Sequence, residues 1–193
     1  EKSQLLWSSY GYSCLIENQV AFPPRHRSVP SPHYTYDALR IYVITESGIY
    51  RYSELCSFEE AELPVVTALD EVVAGDKRSV IAHACSQPAI ASAPLSILSV
   101  LDIEQSSPLE YLWRLWYFVA GASAHNILLE AATLNHSANI FFPTDVASVL
   151  SILGLSDDFQ PLLVVPVGKN TCPATYALRG HSKEQDLSIL IEF

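Results

Sequence analysis

A single domain in which a sheet alternates with helices is the architecture this sequence predicts, and three observations carry it. The segments "LRIYVIT" and "IYRYSE" alternate in polarity and are rich in β-branched and aromatic residues, with "ESG" between them, which makes a hairpin. The stretch from about Pro108 to Leu134 keeps helical periodicity throughout and is the longest element. The runs "APLSILSVLD" and "PLLVVPVG" read as short buried strands, the first entered through Pro94. With 193 residues, 49% of them hydrophobic, the chain can bury one sizeable core.

The elements follow in order. In "KSQLLWSSYGYSCL", Leu5, Leu6, Ser9 and Tyr10 fall near one face, which predicts a helix over about residues 2 to 10 ended by Gly11. From Glu17 to Tyr36 the chain is rich in Pro, His and Arg, so it predicts an irregular loop with exposed polar groups, the kind of loop that carries function. The hairpin comes next, then a helical stretch near Asp76 to Cys85, the strand after Pro94 and the long helix. "PTDVASVLSILG" predicts a short helix with Pro143 in its first turn and Gly154 at its end. The strand "PLLVVPVG", a polar turn-rich stretch and a last strand, "LSILIEF", complete the chain, which shows no internal repeat.

Composition excludes several classes of function. Lys and Arg total 11 against 21 Asp and Glu, a net charge of −10, so nucleic acid and anionic membrane are not expected partners. Cys14, Cys56, Cys85 and Cys172 lack C-x-x-C spacing and read as the reduced thiols of a cytoplasmic protein. The six histidines and four cysteines form no metal-ligand spacing. No apolar run long enough to span a membrane appears, and no basic-then-apolar leader is visible. There is no G-x-G-x-x-G fingerprint, so a nicotinamide cofactor would visit rather than reside.

The segment "FVAGASAHNILLEAATLNHSANIFFP" begins its helix with Ala120, Gly121, Ala122, Ser123 and Ala124, the residues least able to anchor it by burial. Either another backbone packs closely there, or the small stripe fits a crowded core within one chain.

Several stretches resemble the FMN-dependent nitroreductase family, in its SagB-type, azoline dehydrogenase-like branch. "QLLWSSYGYS" resembles that branch's first helix, and "RHRSVPSPHYTYDALRIYVI" its arginine-threonine-x-proline-serine loop running into a strand. "GIYRY" is similar to its hairpin motif, and "HACSQPAIASAPLSILSVLD" to the stretch leading into its central strand. "VAGASAHNILLEAATL" looks like its alanine-glycine-x-x-x-x-asparagine core helix, and "VASVLSILGLSDDFQPLLVVPVG" like the segment that closes its domain. The resemblance implies an α+β fold with a mixed or antiparallel central sheet flanked by helices, built as an intertwined homodimer with FMN in clefts at the interface. It implies one domain over residues 1–193, with 182–193 an extension that pairs with the partner subunit. Close helix approach at Gly121, Ala122 and Ala124 would serve that dimer.

A flavin phosphate needs paired cations and hydroxyl or amide donors. Arg25 and Arg27 alternate, so in an extended loop they point the same way, and Ser28 follows; two solvated loop arginines are the plainer alternative. Ser31 matches the family's proline-serine pair, whose serine lies against the flavin, while His33 either bonds the ring or is a satisfied loop histidine. Asn126 matches the core-helix asparagine and reads as a structural hydrogen-bonder. Phe141 and Phe142 stand where the family usually has two glycines. They either wall the isoalloxazine, block the cleft, or are a core pair before a helix. Lys169 and Arg179 match places where the family puts phosphate-binding cations, whereas its Arg-Arg-Ser run has no counterpart in residues 1–193.

No catalytic side chain is expected, because the flavin carries the hydride chemistry. The expected activity is that of an FMN-dependent oxidoreductase passing hydride from NADH or NADPH to a planar acceptor such as a nitro compound or quinone. The alternatives are a dehydrogenase of a peptide azoline, disfavoured because no Lys is followed by Tyr, and a catalytically degenerate flavin-binding dimer.

Overall fold

A computed structural model of the protein describes residues 1–12, 27–29, 38–55, 66–106 and 113–169. Helix α1 spans Lys2–Tyr10, and strands β1 (Leu39–Ile44), β2 (Gly48–Leu55) and β3 (Val66–Ala74) follow. Helices α2 (Arg78–Ala84) and α3 (Ala89–Ser92) precede β4 (Leu95–Asp102). Helix α4 (Trp113–Thr133), β5 (His136–Ala138), α5 (Val146–Leu153) and β6 (Phe159–Lys169) complete the described chain. The sheet runs β3-β2-β1-β4-β6-β5, and every neighbouring pair is antiparallel. This is an α+β fold with helices on both faces of one sheet.

Alternation in β1 and β4 explains how two faces are filled. Leu39, Ile41, Val43, Leu95, Ile97 and Leu101 pack with α1 and α4 through Leu5, Leu6, Trp116, Val119 and Ile127. Tyr42, Ile44, Leu98 and Val100 point the other way, into a second core with Ile81, Ile90, Val149 and Leu153 from α2, α3 and α5. All eight residues of β4 are buried, so this strand is the spine between the two cores.

Several expectations meet their physical reasons here. The helix over residues 2 to 10 forms as predicted and stops at Gly11, but not through a left-handed turn, since Gly11 has φ −71. A Cβ on Gly11 would lie 2.3 Å from Trp7 Cδ1 and 2.6 Å from the Trp7 carbonyl oxygen, so it is close approach that demands glycine. Pro143 lies before α5 rather than in its first turn, because Asp145 is the N-cap and accepts from the Ser148 N–H at 3.1 Å. Gly154 ends α5 at φ 65, the left-handed region that favours glycine. Strands β3 and β5 and the short α3 were not foreseen. The predicted strand "LSILIEF", the extension 182–193, most of the 17–36 loop and the first turn expected for the long helix lie outside the described residues.

Candidate functional site

Helix α4 carries two kinds of face. Ala120, Ser123 and Ala124 are buried against the sheet, where small side chains let the helix lie close to it. The small stripe therefore serves, in part, the crowded core of a single chain. Gly121 faces outward, and a Cβ there would meet nothing within 4 Å. Around it Leu115, Tyr117, Phe118 and Leu129 are exposed, Phe118 by 60%. That is an unusual amount of apolar surface on one helix.

The N-terminal half of α4 forms one side of a cavity of about 510 Å³. Tyr117, Ala120 and Gly121 face Phe142 and Pro143 across it, with the start of β6 as its floor. The polar groups at its mouth satisfy each other, because the Tyr117 hydroxyl donates to Gln160 Oε1 at 2.8 Å. Phe142 is 67% exposed, so it is a wall of this cavity and not part of a core. Its neighbour Phe141 is different: it is half-buried against the second core and exchanges backbone bonds with Val164 at 2.9 and 2.8 Å.

Backbone donors near this wall are scarce. The N–H groups of Thr144 and Asp145 are both given to the Ala84 carbonyl, at 2.8 and 2.9 Å, and Pro143 has none. The Phe142 N–H is uncommitted among the described residues. Hydrogen bonds from the Ser148 side chain and backbone hold the Asp145 carboxyl below its usual range.

A second constellation gathers where the loop after α1 meets α4. The Asn126 side-chain amide donates to the Ser28 carbonyl at 3.1 Å, the Ser28 N–H donates to the Gly11 carbonyl at 2.6 Å, and Ser28 Oγ donates to the Ser8 carbonyl at 3.2 Å. Arg27 donates to the Tyr10 carbonyl at 2.9 Å and lies 3.8 Å from Glu54 Oε2. Its guanidinium covers the rings of Tyr10 and Tyr12, at 4.2 and 3.7 Å from their centres. Glu54 is almost wholly buried and also accepts from the Tyr12 N–H at 2.6 Å and the Tyr52 hydroxyl. Burial, followed by that bond to Glu54, pushes the Tyr52 phenol far above its ordinary value. Arg27 is thus engaged inside the fold.

Arg27, Ser28 and Asn126 therefore come together, and Phe142 joins the cavity beside α4. Lys169 is exposed at the far end of β6, paired with His136 of β5. The six residue steps from Leu163 to Lys169 span about 20 Å along an extended strand. Arg25, Ser31, His33 and Arg179 lie outside the described residues. Sequence reading missed Tyr52, Glu54, Tyr117 and Gln160, although the alternation in "GIYRYSE" placed the first two on one face.

The chemistry of the lining decides what it suits. Apolar walls, an aromatic ring and one satisfied hydroxyl–amide pair fit a flat ring system such as isoalloxazine. None of the lining residues is cationic, so a phosphate would need its charge partners from elsewhere.

Comparison with known proteins bears on this geometry. A protein from Ralstonia eutropha JMP134 assigned to the nitroreductases superposes with TM-score 0.63 at 22% identity, over 89% of this chain and 73% of that one. One from Anabaena variabilis, similarly assigned, gives 0.62 at 22% identity, over 86% of this chain and 34% of that one. The Escherichia coli microcin synthetase McbBCD complex with truncated pro-microcin B17 bound gives 0.65 at 14% identity, over 89% of this chain and 63% of that one. The chain thus spans about a third of the Anabaena protein and under two thirds of the McbBCD chain. A comparison with curated proteins returned no match. The profile of the Nitroreductase family matches residues 4–169, a stretch that includes both cores, the α4 cavity and the Arg27–Asn126 cluster, and the chain belongs to that family.

Proposed function

We propose that the protein is an FMN-dependent oxidoreductase that takes hydride from NADH or NADPH and passes it to a planar acceptor such as a nitro compound or a quinone. The observation that carries this reading is the 510 Å³ apolar cavity between α4 and Phe142, in a chain of the nitroreductase family. When bound, FMN would supply the hydride chemistry, and the chain's own residues bind, orient and shield it.

In this reading Phe142, Pro143 and Gly121 would hold the ring and exclude water, and Phe142 would limit acceptors to flat molecules. The Phe142 N–H would be a backbone donor to a ring heteroatom. Ser31 and His33 would serve as polar partners of the ring. Asn126, Ser28 and Arg27 act at one remove, tying that loop to α4 and α1. The phosphate falls to Arg25, Lys169 and Arg179, and Lys169 suits only a group lying toward the β5 end of β6.

The exposed apolar stripe on α4 supports a homodimer built on that face. A second reading, a flavin-binding dimer without turnover, is favoured by Pro143, which removes a backbone donor, and by the engagement of Arg27. The likeness to McbBCD is one of fold, so a peptide azoline remains the lesser substrate alternative.

Steady-state kinetics of FMN-loaded protein test the proposal. Parallel double-reciprocal lines are expected for NADH or NADPH against a small quinone, as for two half-reactions sharing one site. Phe142→Ala is expected to raise kcat/KM for a bulky quinone several-fold while leaving a small one within about twofold. Loaded protein that oxidises neither nucleotide contradicts the reading.

A further inference from the structure

Where β4 meets β6 the pairing slips by one residue. Ser99 stands opposite Leu163, but Val100 stands opposite Pro161, so Leu162 is an extra residue in β6. Pro161 sits beside this bulge, a place where a strand tolerates a missing N–H. Beyond it Leu163, Val165 and Val167 face the first core, on the α4 side of the sheet. Unbroken alternation would send Gln160 to the opposite face. The extra residue reverses this: Gln160 comes to lie opposite Leu101, a member of the first core, while Phe159 packs on the second. The bulge thus delivers an amide to the side of the sheet where α4 lies.

Among the described residues lining the cavity beside α4, Tyr117 and Gln160 alone carry polar side chains. The Tyr117 hydroxyl gives its proton to Gln160 Oε1, which holds the amide by its oxygen. An amide has two N–H donors besides that oxygen, and those of Gln160 make no hydrogen bond among the described residues. With no cation in the lining, a neutral donor pair suits the oxygen of a carbonyl or nitro group, whereas a carboxylate or phosphate calls for a positive charge. Placing such an oxygen against apolar walls costs free energy unless it is hydrogen-bonded. The amide therefore separates flat rings that carry an acceptor oxygen from those that do not.

We propose that Gln160 is a specificity-determining residue of the α4 cavity, whose side-chain amide donates to the carbonyl or nitro oxygen of a flat electron acceptor. Tyr117 is its positioning residue. The assignment deepens the reading above and rests on it for turnover, though not for binding.

Ligand-observed NMR titration of the full chain without FMN tests it, using 4-nitrobenzyl alcohol and 4-isopropylbenzyl alcohol, which are close in shape and differ in the nitro oxygens. In Gln160→Leu the ratio of the two dissociation constants is expected to move toward the isopropyl probe by about three- to tenfold, the range of one neutral hydrogen bond. Tyr117→Phe keeps the donors but frees the amide to turn, so a shift of about twofold is expected, and an unchanged ratio overturns its positioning role. An unchanged ratio in Gln160→Leu, or no binding of either probe to the parent, overturns the proposal. Should Gln160→Leu not fold, Gln160→Glu decides: it keeps the shape, removes both donors and is expected to move the ratio at least as far. The same titration on FMN-loaded chain separates acceptor from cofactor. A ratio preserved on loading supports the assignment, whereas a nitro probe displaced by FMN would place the amide in the flavin's own subsite and overturn it. Because the titration needs no electron transfer, it reads the same whether or not a nucleotide reduces the flavin.

Discussion

Asn126 joins two segments 98 residues apart with one side-chain bond, from its amide to the Ser28 carbonyl. Removing it leaves that carbonyl without its partner, at a cost of about 1 kcal/mol. Asn126→Ala is therefore expected to lower unfolding free energy by that amount in urea titration, and no change would mean that Ser28 is held by Gly11 and Ser8 alone. The asparagine was legible because its place in the helix matched a family motif. Arg27 was legible as a position and not as a role. Its engagement depends on Glu54, Tyr10 and Tyr12, which meet it only once β2 lies beside α1. Phe141 and Phe142 divide the alternatives open to them: the first packs on the second core while the second walls the cavity, because consecutive residues in an extended segment point to opposite sides.

Among the elements, those with a clean period were legible and the edges of the sheet were not. The sheet-lining strands β1, β4 and β6 are largely buried apolar runs, and α5 has a cap at each end. Strand β3 pairs on one side only in the described sheet, exposes Leu69 and Val72, and faces a register shift at Ile49 and Tyr50, so "VTALDEVVA" shows no simple alternation. The turn from β3 into α2 carries an acid-sensitive contact. Asp76 accepts from the Arg78 side chain and backbone, which lowers its pKa from 3.8 to about 2. A carboxyl whose folded pKa is depressed stabilises the fold fully above its unfolded value and loses that contribution as pH falls through the folded one. Melting temperature is thus expected to carry a component that declines between about pH 4 and 2 and is smaller in Arg78→Gln, which keeps only the backbone donor. An identical acid profile in the two proteins would contradict it.

At the scale of the whole molecule, the α+β architecture and strand order place one open apolar face on α4 and one apolar cavity beside it. The composition and motifs made the fold readable from the sequence. The cavity was not readable, because it is assembled from α4, the turn after β5 and the start of β6, and no local pattern encodes that meeting. If a second copy covers the α4 face, Gly121→Leu places a large side chain at the contact, where the space around its Cβ is open within one chain, and it also narrows the α4 cavity. Sedimentation is expected to show a folded monomer for Gly121→Leu and a dimer for the parent, and an unchanged dimer would move the interface elsewhere.

The proposed activity requires that this chain hold a flavin that a nicotinamide can reduce. An anaerobic visible absorption spectrum of the purified protein, taken after FMN titration and again after adding NADH or NADPH, tests it most directly. A bound flavin band that bleaches with one of the two nucleotides is expected. A protein that takes up no FMN, or whose bound flavin neither nucleotide bleaches, would contradict it.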